Sequence, residues 1–173
     1  MTSDAFFDEL ATKPKQKLFD VIFIDGLHTY EQTFKDIINA LHHLNPNGVI
    51  VLHDINPENE NMALPAASRD QAMQAVGQSG GWCGDSWKAV HHIIEINHSL
   101  NQLDVFTLNC DYGLGIIFPK QNFNKISWQN IAPDKKFENL PYAVLEQNRV
   151  SVIGLVEPDF INRYLNNKQK KPK

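Results

Sequence analysis

The sequence is poor in cysteine, in long apolar runs and in positive charge, and each shortage closes off a class of protein. Its two cysteines, Cys83 and Cys110, have no paired-ligand spacing, so neither a disulfide framework nor a cysteine-based zinc site is in view. Free thiols fit a reducing cytoplasm. No apolar run approaches the roughly 20 residues that a membrane-spanning helix needs. The opening MTSDAFFDEL has no basic segment leading into an apolar core, so it is not a secretory signal. A cytoplasmic protein without a membrane partner is expected. The net charge of -4 argues against a nucleic-acid partner, because such proteins carry a basic stripe. The only basic cluster, Lys168, Lys170, Lys171 and Lys173, ends the chain and reads as a solvated, frayed tail. A glycine-rich dinucleotide fingerprint near the amino terminus and a phosphate loop are also missing.

What remains is an ordinary globule of about one domain's length, 42% hydrophobic and 21% charged over 173 residues. Its most informative stretch is residues 19–54, FDVIFIDGLHTYEQTFKDIINALHHLNPNGVIVLHD. Residues 20–24 form a continuous apolar run rich in β-branched side chains, the pattern of a strand covered on both faces. Asp25-Gly26 turns the chain. Over residues 30–44, Phe34, Ile37, Ile38, Leu41 and Leu44 recur at helical spacing, so this helix packs on the sheet. Asn45-Pro46-Asn47-Gly48 breaks it, and residues 49–52 are the next buried strand. Two buried strands joined by a helix imply a right-handed parallel crossover.

Elsewhere the patterning is sparser. A short helix is expected over residues 3–10, with Ser3 or Asp4 as N-cap. Residues 55–84 form a long irregular region that could cover the site, with a short helix around residues 68–76. Residues 85–97 read as a helix burying Trp87, Val90, Ile93 and Ile94. Residues 103–108 and 114–118 are strands separated by Asp111-Tyr112-Gly113, a gap so short that they must form an antiparallel hairpin. Residues 140–150 and 159–165 are expected to be helical.

The chemistry-bearing side chains gather at strand ends. Asp25 follows the first strand, with His28 three residues on, and His53 and Asp54 close the second. Adjacent strand ends lie about 5 Å apart, and ligands of open parallel sheets bind on that edge. Two carboxylates suit a hard ion such as magnesium, and an added imidazole shifts the preference to manganese, iron or zinc. His28 or His53 could instead serve as a general base. The competing account makes both acids turn or helix caps and both histidines merely polar. His42, His43, His91 and His92 are expected at helix surfaces or ends. Residues 80–88, GGWCGDSWK, could bind an anion at a helix N-terminus or, the favoured account, bury Trp82 and Trp87 with Asp85 as cap.

Four blocks, FDVIFIDGLHTYEQTFKDI, LNPNGVIVLHDINP, GWCGDSWKAV and DYGLGIIFP, together resemble the class I S-adenosylmethionine-dependent methyltransferase-like family, with its Rossmann-like fold. They span roughly residues 3–119, and ENLPYAVLEQNR resembles the region that trails such domains. The resemblance implies an α/β domain over residues 1–119, with parallel strands ending in an antiparallel hairpin. Residues 120–173 are then an extension with helices and the basic tail. It makes residues 20–24 and 49–52 the fourth and fifth strands of the usual seven. In metal-dependent relatives the acids ending those strands hold magnesium, which orients a substrate hydroxyl. Asp25 and Asp54 match them, and His53 stands where an acid often stands.

The resemblance further implies S-adenosylmethionine as cofactor, with Ser3, Asp4 and Asp25 toward it. Asp25, His53 and Asp54 are then the metal set, and His28 and His53 the catalytic side chains. A small-molecule acceptor, methylated on a hydroxyl, is the implied substrate. The family's first three strands carry most of the cofactor site, and this sequence begins after the third. The expectation is a partial domain, inactive by itself, whose exposed strand edge is covered by a homo-oligomer or by residues 150–156. The alternatives are a non-enzymatic oligomeric or binding module and a metal-dependent hydrolase with water as nucleophile.

Overall fold

The computed structural model describes residues 1–14, 17–76 and 81–169. Gly80 and the tail lysines Lys170, Lys171 and Lys173 lie outside them. Helix α1 (Ser3–Ala11) leads into β1 (Phe19–Ile24), α2 (Tyr30–His43) and β2 (Leu44–Leu52). After a long loop holding α3 (Arg69–Val76) come α4 (Trp87–Leu100), β3 (Leu103–Leu108) and β4 (Leu114–Pro119). A 3-10 turn follows at Lys125–Trp128, then α5 (Lys135–Glu138), α6 (Tyr142–Gln147) and α7 (Arg149–Ile153). Strand β5 (Leu155–Val156) and α8 (Phe160–Gln169) complete the chain as described. The five strands form one sheet in the order β1-β2-β4-β3-β5. β1 and β2 are parallel, and β4 runs antiparallel to both β2 and β3. This is the mixed α/β, Rossmann-like sheet the sequence implies, closed by its hairpin.

One face of the sheet builds the main core. The apolar stripe of α2 (Phe34, Ile37, Leu41) and that of α4 (Trp87, Val90, Ile93) pack on Ile50, Leu52 and Ile117. Burying one such side chain contributes about 1.5–3 kcal/mol, so this contact holds the crossover helix against the strands. Among the described residues the other face is covered chiefly at one end, where Phe160, Ile161 and Tyr164 of α8 lie on Phe106, Leu108, Ile116 and Phe118. At its other end β1 is an edge strand.

Several expectations need correction. β1 is not covered on both faces: Val21 is 62% and Phe23 58% exposed, opposite Val49 and Val51 in the parallel register. The apolar run reflects β-propensity and a half-covered sheet. β2 begins at Leu44 rather than after the Asn-Pro-Asn-Gly turn. Phe19 pairs with Leu44 and Val21 with Val49, so the turn residues are absorbed as an irregularity in the ladder. Asn45 Nδ2 donates to Asp20 Oδ1 (2.7 Å), and a Cβ at Gly48 would lie 2.9 Å from the Asp20 carbonyl oxygen. Thr2, not Ser3 or Asp4, caps α1: its hydroxyl accepts from the Ala5 N–H. The helix expected over residues 140–150 is broken at Asn148, whose side chain accepts from the Ser151 N–H and starts α7. Residues 155–156 do form a strand, but it pairs with β3 at the far edge of the sheet and leaves β1 open.

Candidate functional site

Ile24 pairs with Leu52 in the parallel register, so β1 and β2 end side by side. The His53 N–H still donates to the Ile24 carbonyl (3.1 Å), extending the ladder by one bond. Asp25, His53 and Asp54 are therefore delivered to one edge by backbone pairing alone. Asp54 takes a left-handed φ of 59°, a sparsely populated conformation for a non-glycine residue. Its carbonyl accepts from the Ser86 hydroxyl (2.8 Å), which holds that conformation in place.

The four side chains singled out from the sequence come together. His28 Nε2 lies 3.2 Å from Asp25 Oδ1 and 3.5 Å from Asp54 Oδ2. His53 Nδ1 lies 3.6 Å from Asp25 Oδ1 and 3.2 Å from Asp54 Oδ2. One ligand atom from each of Asp25, His53 and Asp54 falls within 4.8 Å of the others, a spacing that could hold a metal ion. Asp25 is the open side of the cluster and Asp54 the buried one.

The outer nitrogens of the two rings are tied down. His28 Nδ1 is 2.9 Å from the Trp82 carbonyl, which can only accept, so that nitrogen carries the proton and Nε2 faces the carboxylates. His53 Nε2 is 3.0 Å from Asp111 Oδ2, which fixes its Nδ1 toward Asp25 and Asp54 in the same way. Partial burial is the largest single influence on His53 and pulls its pKa down. The carboxylates of Asp111, Asp54 and Asp25 together outweigh it and leave the ring more basic than usual.

Residues 81–86 clamp the site from outside the βαβ unit. The Cys83 and Gly84 N–H groups both donate to the Met62 carbonyl, and the Asp85 N–H donates to the His28 carbonyl. Gly84 has φ +60°, and a Cβ there would lie 1.8 Å from the His28 carbonyl oxygen, so only glycine fits against the turn carrying His28. Asp85 does not cap its own helix. Its Oδ1 accepts from the Tyr30 N–H (2.7 Å) at the start of α2, and its Oδ2 pairs with the buried Lys88 (3.0 Å). Trp82 and Trp87 are buried, as the structural account of this segment requires. Cys83 lies with its Sγ 3.6 Å from Asp54 Oδ1, and burial pushes its thiol pKa far up, so it is an inert neutral neighbour.

Ser3 and Asp4 sit elsewhere. Gln32 Nε2 donates to Ser3 Oγ (3.2 Å) and Asp4 Oδ1 (3.0 Å), tying α1 to α2. The other histidines are not all at surfaces. His92, expected at a helix surface, is 6% exposed and stacked between Phe34 and Phe137, with centroid distances of 4.4 and 4.0 Å. Sequence reasoning missed Asp111, Ser86 and the Trp82 carbonyl as parts of the site. Asp111-Tyr112-Gly113 was legible as a turn, but its approach to His53 depends on the β2–β4 pairing. Among the described residues no helix is long and apolar enough to cross a membrane.

Residues 1–55 match the family model of a methyltransferase domain. That segment contains Asp25, His28, His53 and Asp54, whereas Trp82 and Asp111 lie beyond it. No curated protein matches the chain.

Proposed function

We propose that this chain is a class I S-adenosylmethionine-dependent methyltransferase-like protein, a reading supported by the methyltransferase-domain match over residues 1–55, and that its strand-end edge is the acceptor side of a methyl-transfer site for a small molecule bearing a hydroxyl. The observation that carries this reading is the convergence of two carboxylates and two imidazoles at the carboxyl ends of adjacent parallel strands, all within the matched segment. S-adenosylmethionine supplies the methyl group in such chemistry. Asp25, His53 and Asp54 would hold a divalent ion, whose charge favours the ionised form of an acceptor hydroxyl. His28 is placed to take the hydroxyl proton at Nε2, because its Nδ1 is committed to the Trp82 carbonyl and Nε2 faces the carboxylates of Asp25 and Asp54, which stabilise the ring once it is protonated.

A second reading, an oligomeric or binding module built on the same edge, is favoured by the open β1 strand with Val21 and Phe23 exposed. Under it a second copy covers that edge.

Calorimetric titration with S-adenosylmethionine, with and without a divalent ion, alongside the mass in solution, separates the two. Micromolar cofactor binding would support methyl transfer by this chain. A folded, homogeneous oligomer that binds no cofactor would refute methyl transfer by this chain and leave the module reading.

A further inference from the structure

The geometry points to Asp111 as a positioning residue that holds His53 as a nitrogen ligand and so directs the site toward a transition-metal ion in preference to magnesium. This rests on the metal set of the proposed function and deepens it. Asp111 belongs to the β3–β4 turn, far from β1 and β2 in sequence. Its Oδ2 meets His53 Nε2 at 3.0 Å, the outer face of the ring whose inner nitrogen points at Asp25 and Asp54.

The turn that presents Asp111 is an unusual one. Asp111 has φ 47°, Tyr112 φ 55° and Gly113 φ 94°, so three consecutive residues occupy the left-handed half of backbone space. Such a run is unfavourable at each non-glycine residue and persists only where surrounding contacts over-determine it. Those contacts are visible. The Ile55 N–H donates to the Gly113 carbonyl (3.1 Å), and the Asn56 N–H donates to the Tyr112 carbonyl (2.7 Å). Both donors immediately follow the metal-set residues His53 and Asp54. A Cβ at Gly113 would come within 2.5 Å of the Asn56 backbone nitrogen, so the turn is pressed against this segment. The strain therefore aims one carboxylate at one imidazole.

A carboxylate on the outer nitrogen fixes a ring's tautomer and raises the basicity of its inner nitrogen, and removing such a partner typically weakens metal binding 10–100-fold. Magnesium takes oxygen ligands and gains nothing from a positioned imidazole, whereas cobalt, manganese, iron and zinc accept mixed nitrogen–oxygen sets. The donor set here, two carboxylates and one oriented imidazole, fits the second group. His28 remains outside that set as the base.

The test titrates cobalt(II) and, separately, magnesium into the full chain, reading cobalt by its visible ligand-field absorption. Two variants are compared with the parent. Asp111→Gly removes the carboxylate and adopts φ 47° without strain. Asp111→Asn removes the same charge, keeps an oxygen that can accept from His53 Nε2–H, and tolerates the left-handed conformation. The parent is expected to bind cobalt at least tenfold more tightly than magnesium. Asp111→Gly should lose roughly 10–100-fold in cobalt affinity with an altered absorption band, and Asp111→Asn should recover most of both. Magnesium affinity should fall equally and slightly in the two variants, through charge alone. Equal cobalt losses in both variants, or a parent that prefers magnesium, would overturn the inference. Cobalt binding without S-adenosylmethionine binding would sink methyl transfer and leave this inference standing; cofactor binding with no metal would do the reverse.

Discussion

Acid should weaken this fold chiefly through His92. The ring is buried on α4 between Phe34 and Phe137, and its Nδ1 is 3.0 Å from the Tyr30 hydroxyl. That hydroxyl also receives the Asp134 N–H (2.7 Å). Burial is the main cause that lowers the His92 pKa to about 4; His91 and Lys136 add to it, and Asp134 and Glu95 oppose it. In the unfolded chain the ring titrates near its ordinary value, about 6.5. Between these two values the unfolded state binds the proton and the folded state does not. Stability is thus fully present above about pH 6.5 and falls as pH drops toward 4, below which no more is lost.

The size follows from the two constants. At pH 5 the unfolded state gains about 2 kcal/mol from protonation that the folded state does not share, and the limiting loss is about 3 kcal/mol. Urea unfolding of the parent at pH 7.5 and pH 5.0 should show this as a midpoint lower by roughly 1 M, with the slope unchanged. His92→Phe keeps an aromatic ring in the stack and removes the titration. It costs up to about 1 kcal/mol at pH 7.5 through the lost hydrogen bond, but its stability should fall by about 2 kcal/mol less than the parent's between the two pH values. His91, whose pKa burial also lowers, is present in both proteins and cancels in the comparison. Equal pH losses in parent and variant would refute the reasoning.

Two further expectations concern the clamp around the site. Gly84→Ala should destabilise the protein by at least about 2 kcal/mol, because the positive φ and the His28 carbonyl both oppose a Cβ. Thermal unfolding measures the loss, and an unmoved His28 imidazole resonance in the same variant would contradict the proposed contact. Asp85→Ala should cost about 3–5 kcal/mol, since it strands the buried Lys88 without a carboxylate and uncaps the Tyr30 N–H. Adding Lys88→Met should restore part of that in denaturant unfolding; a double variant as weak as the single one would show that the buried charge is not the cause.

The β1-α2-β2 unit was legible because its signals are local. An apolar β-branched run, a helical stripe and breaker residues follow one another within residues 19–54, and parallel pairing then sets Asp25 beside His53 and Asp54. The hairpin was legible for a similar reason, as a short gap permits no other connection. Less was readable where chain ends and charges meet distant partners. Asp85 looked like the cap of the helix it precedes, yet it caps α2, 55 positions away. Val21 and Phe23 looked like core, because an apolar run records strand propensity without recording which face is covered.

The sequence by itself determined the order of elements, the α/β class and the four side chains at the strand ends, since each depends on residues close together along the chain. Only the tertiary structure decided that Asp111 backs His53, that His92 is a stacked core residue, and that β5 joins β3 and leaves β1 open. Those outcomes depend on which strands pair and which helix faces pack. Both are settled by the burial of the whole sheet, through contacts between residues that no local pattern connects.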